Sequence, residues 1–248
     1  MFMEKKEYYI AGIHPVTEAI ESNRNIEKVM FKQGLEGSQF RILLEKIQQK
    51  GIQVQFVPAE RLNRISRANH QGVIAFLPQV DYFTLEDIVA FAAKKEGLPL
   101  ILILDGVSDV RNFGAIARSA ECAGANAIIV PAKGSANINA DAIKTSAGAL
   151  LRIPVCKVSN IREAIFYLKQ SGYKIFASTE KASNNIYDVK FGEPCAIIMG
   201  SEEKGISRSA EELCDESFKI PMAGQISSLN VSAAATVALF EALRQRNA

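Results

Sequence analysis

Histidine is almost absent from this chain, and its placement matters as much as its scarcity. The two copies, His14 and His70, both lie in the first third of the sequence. The long C-terminal part therefore has no imidazole for a Ser–His–Asp triad or a histidine-based zinc cluster. Cysteine is nearly as sparse. Cys122, Cys156, Cys195 and Cys214 form no CxxC pair and sit in apolar or helical surroundings, which reads as reduced structural thiols rather than metal ligands. No apolar run approaches the ~20 residues of a membrane-crossing helix, and MFMEKKEYYI at the N-terminus has no long apolar stretch after its lysines. A cytoplasmic protein without membrane or metal is expected. A large charge of either sign is missing too: 29 Lys and Arg stand against 27 Asp and Glu, net +2. That balance neither demonstrates nor excludes a nucleic-acid partner.

What is present is a soluble globular composition, 48% hydrophobic and 23% charged over 248 residues, enough for one large or two ordinary domains. Residues 1–78 hold the short apolar runs KVMF (28–31), VQFVP (54–58) and GVIAFLP (72–78), separated by the helical patterns HPVTEAIES and SQFRILLEKIQQKG. They predict a small α/β unit. Residues 79–98 predict a linker with a connecting strand and a helix that ends at Lys94, Lys95 and Gly97, a basic last turn followed by glycine. From 99 to 248 the runs PLILILD, NAIIVP, IPVCKV, YKIFAST, PCAIIMG and FKIP alternate with helical stretches. Runs apolar on both faces predict a parallel sheet covered by helices, whose ligands sit beyond the carboxyl ends of the strands.

Three of those ends carry polar loops: DGVSDVRNFGAIARSAECAGA (105–125), GSEEKGIS (200–207) and PMAGQISSLNVS (221–232). None is a dinucleotide fingerprint, because Gly106 is followed by Val107, Ser108 and Asp109 rather than by GxGxxG. Gly200 and Gly205 have the Walker spacing, but Ile206 stands where the phosphate-binding lysine must be. An NTPase is excluded. The third loop raises its own question, since an apolar helix begins there with Ser227, Ser228, Asn230 and Ser232. Such residues serve equally as helix caps or as the lining of a site.

Taken together, DGVSDVRNFGAIARSAECAGA, IIMGSEEKGIS and IPMAGQISSLNVSAAATVALFEALRQR resemble the three successive motifs of the SpoU (TrmH-type) RNA ribose 2′-O-methyltransferases of the SPOUT superfamily. AGIHPVTEAI and NHQGVIA in the first unit resemble the N-terminal substrate domain of the RlmB branch, so the likeness covers nearly the whole chain. The resemblance implies an α/β catalytic domain with a trefoil knot, preceded by a small α/β RNA substrate-binding domain like those of RNA-binding ribosomal proteins. It implies a homodimer with sites near the subunit interface, S-adenosyl-L-methionine as cofactor, and 23S rRNA as partner, with a guanosine in the peptidyl-transferase P loop as target. By matching motif residues it puts Asn112, Arg118, Glu202, Ser228 and Asn230 at the catalytic centre. The cofactor is expected at Thr179, Gly200, Ile220, Met222 and Leu229, chiefly through main-chain groups.

The residue types suit that chemistry. Attack by a ribose hydroxyl on a sulfonium methyl needs alignment and stabilisation of negative charge more than a metal or a covalent intermediate. A guanidinium is almost never neutral, so Arg118 reads as a holder of phosphate and developing alkoxide rather than a base, with Glu202 and Asn112 orienting it. Ala233, Ala234, Ala235 and Ala238 either favour helix or permit close packing. Arg61, Arg64 and Arg67 recur every three residues, a basic stripe on a helical turn that either follows RNA phosphates or is simply solvated; His70 contacts RNA or caps a turn. Two other readings stay open: the same chemistry on tRNA or on another 23S nucleotide, including the antibiotic-resistance type, and a non-catalytic ribosome-assembly RNA-binding protein.

Overall fold

The computed structural model describes residues 9–22, 24–67, 69–77 and 80–247, which divide into two units, 1–81 and 82–248. The first is built on four strands, β1 (Tyr9–Ala11), β2 (Lys28–Lys32), β3 (Gln53–Val57) and β4 (Val73–Phe76), in the order β1-β4-β2-β3. Only the β2–β3 pair is parallel. Helices α1 (Ile13–Glu21) and α2 (Ser38–Gln49) cover one face. They bury Val16 and Ile20, then Leu43 and Ile47, each pair four residues apart, against Val29, Phe31 and Val73. The other face receives α3 (Ala59–Ile65) through Leu62, which packs on Met30, Val57 and Ile74.

The arginine stripe is only partly helical. Arg61 and Arg64 lie on α3, but Ser66 turns extended (φ −131°, ψ 130°) and ends the helix before Arg67. All three are exposed. His70 closes the turn that follows. Its Nδ1 accepts the Gly72 N–H at 3.0 Å, so Nε2 carries the proton and donates to Asn63 Oδ1 at 2.8 Å. Both ring nitrogens are thereby engaged within the unit. Gln71, with φ 49°, is left-handed without being glycine, and its Oε1 accepts the Ile13 N–H at 3.1 Å at the start of α1.

The stretch expected to connect the units is instead built into the second. Strand β5 (Tyr82–Phe83) is the edge of the larger sheet, and α4 (Leu85–Lys94) buries Ile88 in its core. Thr84 and Asp87 close a capping box at the start of α4. There follow β6 (Leu100–Asp105), α5 (Val110–Cys122), β7 (Ala127–Pro131), α6 (Ala140–Thr145), β8 (Val155–Val158), α7 (Ile161–Gln170), β9 (Lys174–Ser178), β10 (Cys195–Gly200), α8 (Arg208–Glu211), β11 (Glu216–Phe218) and α9 (Val231–Arg246). The sheet runs β11-β9-β10-β6-β7-β8-β5, parallel throughout. The strand expected at FKIP lies two residues earlier, at Glu216–Phe218: pairing stops at Phe218, and Lys219 makes only an isolated bridge to Asn185. Among the described residues no helix is long and apolar enough to cross a membrane, and no group of three His, Cys, Asp or Glu could hold a metal ion.

Two helices matter for the site. α9 packs on α5 and on β10, with Ala235, Ala238 and Ala242 fully buried. Of the four alanines expected to present a low surface, Ala235 and Ala238 are therefore used inside the chain, whereas Ala233 is exposed. Thr236 Oγ1 donates to Ser232 O at 2.8 Å, so Ser119 is the donor in the 2.7 Å bond between its hydroxyl and that of Thr236. α5 meets α6 as closely. A Cβ at Gly114 would lie 2.7 Å from Thr145 Cβ.

The far end of α9 is held by Arg246. It donates to the carbonyls of Leu98 (2.7 Å), Phe191 (3.0 Å), Glu193 (3.1 Å) and Pro99 (3.2 Å), at the amino ends of β6 and β10. Burial pushes the thiol of Cys195, also beside Arg246, up to about 11, and those of Cys156 and Cys214 up to about 12. Thiols held protonated are poor nucleophiles. Titration with a thiol reagent at mildly alkaline pH should therefore modify the exposed Cys122 in the folded protein and reach the other three only after denaturant is added.

Candidate active site

The site is assembled where β6, β9 and β10 end. After β10 the chain doubles back on itself: Ser201 N–H donates to Gly205 O at 3.1 Å, Gly205 N–H returns to Ser201 O at 2.9 Å, and Ser201 Oγ accepts the Lys204 N–H at 3.1 Å. Two glycines make this possible. Gly205 sits at φ +67°, and a Cβ on Gly200 would lie 2.1 Å from the Gly205 carbonyl carbon, a separation no side chain tolerates. Glu202 projects from the tip of this loop.

Glu202 meets two segments distant in sequence. Asn112, in the first turn of α5, donates its amide to Glu202 Oε1 at 3.2 Å, and Asn230 donates to the same oxygen at 2.5 Å and to Asn112 Oδ1 at 3.0 Å. Asn230 is also the N-cap of α9: its Oδ1 accepts the Ser232 N–H at 2.9 Å and the Ser232 hydroxyl at 2.6 Å. Capping and site formation are thus two halves of one amide, the oxygen turned to the helix and the nitrogen to Glu202. Asn112 is fixed from below by Asp109, whose Oδ1 caps α5 by accepting the N–H groups of Arg111 (2.9 Å) and Asn112 (2.8 Å).

Beside this cluster lies a pocket of about 310 Å³, at the small end of the range for small-molecule sites. Its walls come from Ser178–Lys181 at the end of β9 and just beyond it, from 199–206, and from Ile220, Met222 and Ser227–Leu229. Thr179, Gly200, Ile220, Met222 and Leu229, the residues expected around a cofactor, all line it, as do Glu202 and Ser228. Met199, Ile206, Ile220, Met222, Leu229 and Val231 give it apolar surface, while Glu180, Lys181, Glu203 and Lys204 are charged.

Arg118 is placed differently from expectation. Six residues beyond Asn112, it is about 9 Å further along the helix and on another face. It is exposed and makes no hydrogen bond or ion pair with the described residues, so Glu202 and Asn112 do not orient it. Their partner is Asn230. Ser228 is exposed and makes no side-chain hydrogen bond with the described residues, so helix capping does not account for it. Arg61, Arg64, Arg67 and His70 belong to the first unit. Asp109 is the residue that sequence reasoning does not single out, although an aspartate directly before VRNFGAI is a readable N-cap signal.

Comparison with known proteins identifies the family. Residues 99–240 match the family model of the SpoU rRNA methylases, and residues 9–83 match that of the RNA 2′-O ribose methyltransferase substrate-binding domain. The chain belongs to the SpoU methylase family. Among its relatives, a Staphylococcus haemolyticus protein assigned to the TrmH family of tRNA/rRNA methyltransferases is 34% identical over 238 residues, 96% of each chain. Among solved structures, the SpoU methyltransferase AviRb from Streptomyces viridochromogenes, in complex with AdoMet, superposes with a TM-score of 0.62 at 25% identity, covering 97% of this chain and 91% of that one. An RNA 2′-O ribose methyltransferase superposes with a TM-score of 0.59 at 26% identity over 98% and 90% of the two chains. In this SpoU chain, then, the pocket and the polar cluster occupy the domain that defines the family.

The shared amide makes a direct test possible. Asn230→Asp preserves an acceptor for the cap but sets a second carboxylate against Glu202 and removes the donor. The variant should lose about 1–2 kcal/mol, a fall of roughly 2–8 °C in melting temperature for a chain of this size. Adding Glu202→Gln, which restores a donor facing the introduced carboxylate, should recover most of that loss. Thermal unfolding of the two variants and of wild type checks it.

Proposed function

We propose that this chain transfers a methyl group from S-adenosylmethionine to a ribose 2′-hydroxyl of RNA, its target a guanosine in the peptidyl-transferase P loop of 23S rRNA. The observation that carries the proposal is the pocket itself. One concave site gathers Thr179, Gly200, Ile220, Met222 and Leu229, and its wall residue Glu202 is bonded to Asn112 and Asn230. The pocket fits an adenosyl group joined to an amino acid: apolar side chains for the base and stem, backbone at Gly200–Gly205 close enough for main-chain bonds, and charged residues of both signs for a zwitterion.

When bound, S-adenosylmethionine supplies a methyl group already activated on a sulfonium. The chain's own residues do the rest by position. Ile206, Ile220, Met222 and Leu229 keep water from the pocket, and Ser228 offers a hydroxyl without a fixed partner toward substrate. Glu202, Asn112 and Asn230 hold the three loops at one spacing. Arg118, exposed and without a hydrogen bond or ion pair to the described residues, takes the target phosphate and stabilises charge developing on the attacking oxygen. Arg61, Arg64 and Arg67 hold RNA phosphates on the first unit. The protein works as a cytoplasmic homodimer. The dimer reading is supported by α9, whose apolar Ala233 and Phe240 are exposed, the latter by 44%.

Support for the 23S guanosine comes from the likeness of 11–20 and 69–75 to the RlmB branch, which the substrate-binding match at 9–83 spans. The name of the S. haemolyticus relative covers both tRNA and rRNA, so tRNA is the second reading. Mapping ribose methylation on total RNA from a strain lacking the gene decides between them, the missing methyl group marking the target.

Replacing Arg118 by alanine should lower methyl transfer at least ~100-fold and leave cofactor affinity, measured by calorimetry, unchanged. Lysine at this position should restore little, because a point charge cannot reproduce the planar fork. Near-normal methylation by the alanine variant would remove Arg118 from the mechanism. Changing Arg61, Arg64 and Arg67 together to glutamine should flatten the salt dependence of RNA binding by about 2 in the log–log slope, at ~0.7 per phosphate contact on single strands.

A further inference from the structure

Asp105 has no part in the pocket wall and no part in the Glu202 cluster, yet it is placed to govern both. It is the last residue of β6, directly opposite Gly200 in the β6–β10 register, so it stands where the 200–207 loop begins. Its Oδ2 accepts the backbone N–H of Ser207, where that loop ends, at 2.8 Å. A single carboxylate on a neighbouring strand thereby closes the base of a loop whose every residue from Gly200 to Ile206 lines the pocket. The base of the loop is also packed by its neighbours. Gly106, at φ +82°, packs a would-be Cβ 3.6 Å from the Ser201 side chain, Ile206 is anchored in the hydrophobic core, and Gly200 leaves no room for a Cβ beside Gly205.

We infer that Asp105 is a positioning residue for the cofactor pocket: by holding the Ser207 end of the 200–207 loop against the start of that loop, it sets the pocket wall and the reach of Glu202 toward Asn112 and Asn230. The inference rests on the reading of the pocket as the S-adenosylmethionine site. Asp105 acts through the loop and touches neither cofactor nor RNA. The role uses one acceptor oxygen and no charge. Asparagine, whose side-chain carbonyl is the same length, fulfils it, and alanine does not.

The test compares full-length wild type, Asp105→Ala and Asp105→Asn in two measurements. Calorimetric titration with S-adenosylmethionine should show binding about tenfold weaker, or more, for the alanine variant, the order expected for losing one hydrogen bond that fixes a wall, and binding within about threefold of wild type for asparagine. Amide hydrogen exchange, read without cofactor, should be faster over 201–207 in the alanine variant, normal in the asparagine variant, and unchanged in both over the core strands 100–104 and 195–199. Unaltered exchange over 201–207 in the alanine variant overturns the inference. So does equal loss of binding in both variants, or an alanine variant whose core exchanges faster as well, since that marks a general structural role. Should wild type itself fail to bind S-adenosylmethionine, the cofactor reading falls, and the exchange measurement still decides whether Asp105 holds the loop.

Discussion

Three loops of the candidate site are joined through one carboxylate oxygen, Glu202 Oε1. Two side-chain amides, from Asn112 and Asn230, converge on it, and with it three loops separated by as many as 118 residues in sequence come to a common point. Each of those loops is secured independently: 200–207 by its own backbone bridge and by Asp105, the start of α5 by Asp109, and α9 by its cap and its packing on α5. The carboxylate therefore does not have to create order. It only joins parts already ordered, which is why exposed hydrogen bonds, weak in isolation, suffice to fix their spacing.

Asparagine is the residue these constraints select at 230. A serine or threonine would cap α9 equally well but lacks a second group to reach Glu202, and an aspartate would cap and repel. Only an amide accepts on one side and donates on the other at a single length. The hydroxyls around it divide the remaining work. Ser232 bonds Asn230, Thr236 bonds Ser232 and Ser119, and Ser228 is left facing the pocket. A polar start on an apolar helix is thus the price of joining a core element to a site.

The architecture was legible because apolar periodicity reports burial, and strands buried on both faces admit few other readings. The grouping of Gly200, Ile220, Met222 and Leu229 was legible only through the resemblance, since nothing in their spacing brings them together. What escaped was local and polar. Asp105 and Asp109 act through backbone N–H groups, and such bonds leave no periodic trace in sequence. Arg67 was assigned to a helix because a three-residue repeat looks helical wherever it falls, and the extended Ser66 that ends the helix carries no Gly or Pro to announce it. Strand β11 was set two residues late because FKI is more apolar than ESF, although pairing with β9 follows hydrogen bonding rather than hydropathy.

The two ends of the second sheet are built on opposite terms. At the amino ends of β6 and β10, Arg246 gathers four carbonyls, and the buried Asn126 exchanges two 2.7 Å bonds with the backbone of Leu100. At the carboxyl ends, residues 221–230 are exposed along their whole length, tethered by the Lys219–Asn185 bridge before them and by Asn230 after. Burial and backbone satisfaction at one end carry much of the stability, and the 221–230 loop at the other end is left out of the core. A loop with no core to fill can devote Met222, Ser228 and Leu229 to a ligand. Asn230 is where the two regimes meet, the last exposed residue of the loop and the first fixed residue of the helix.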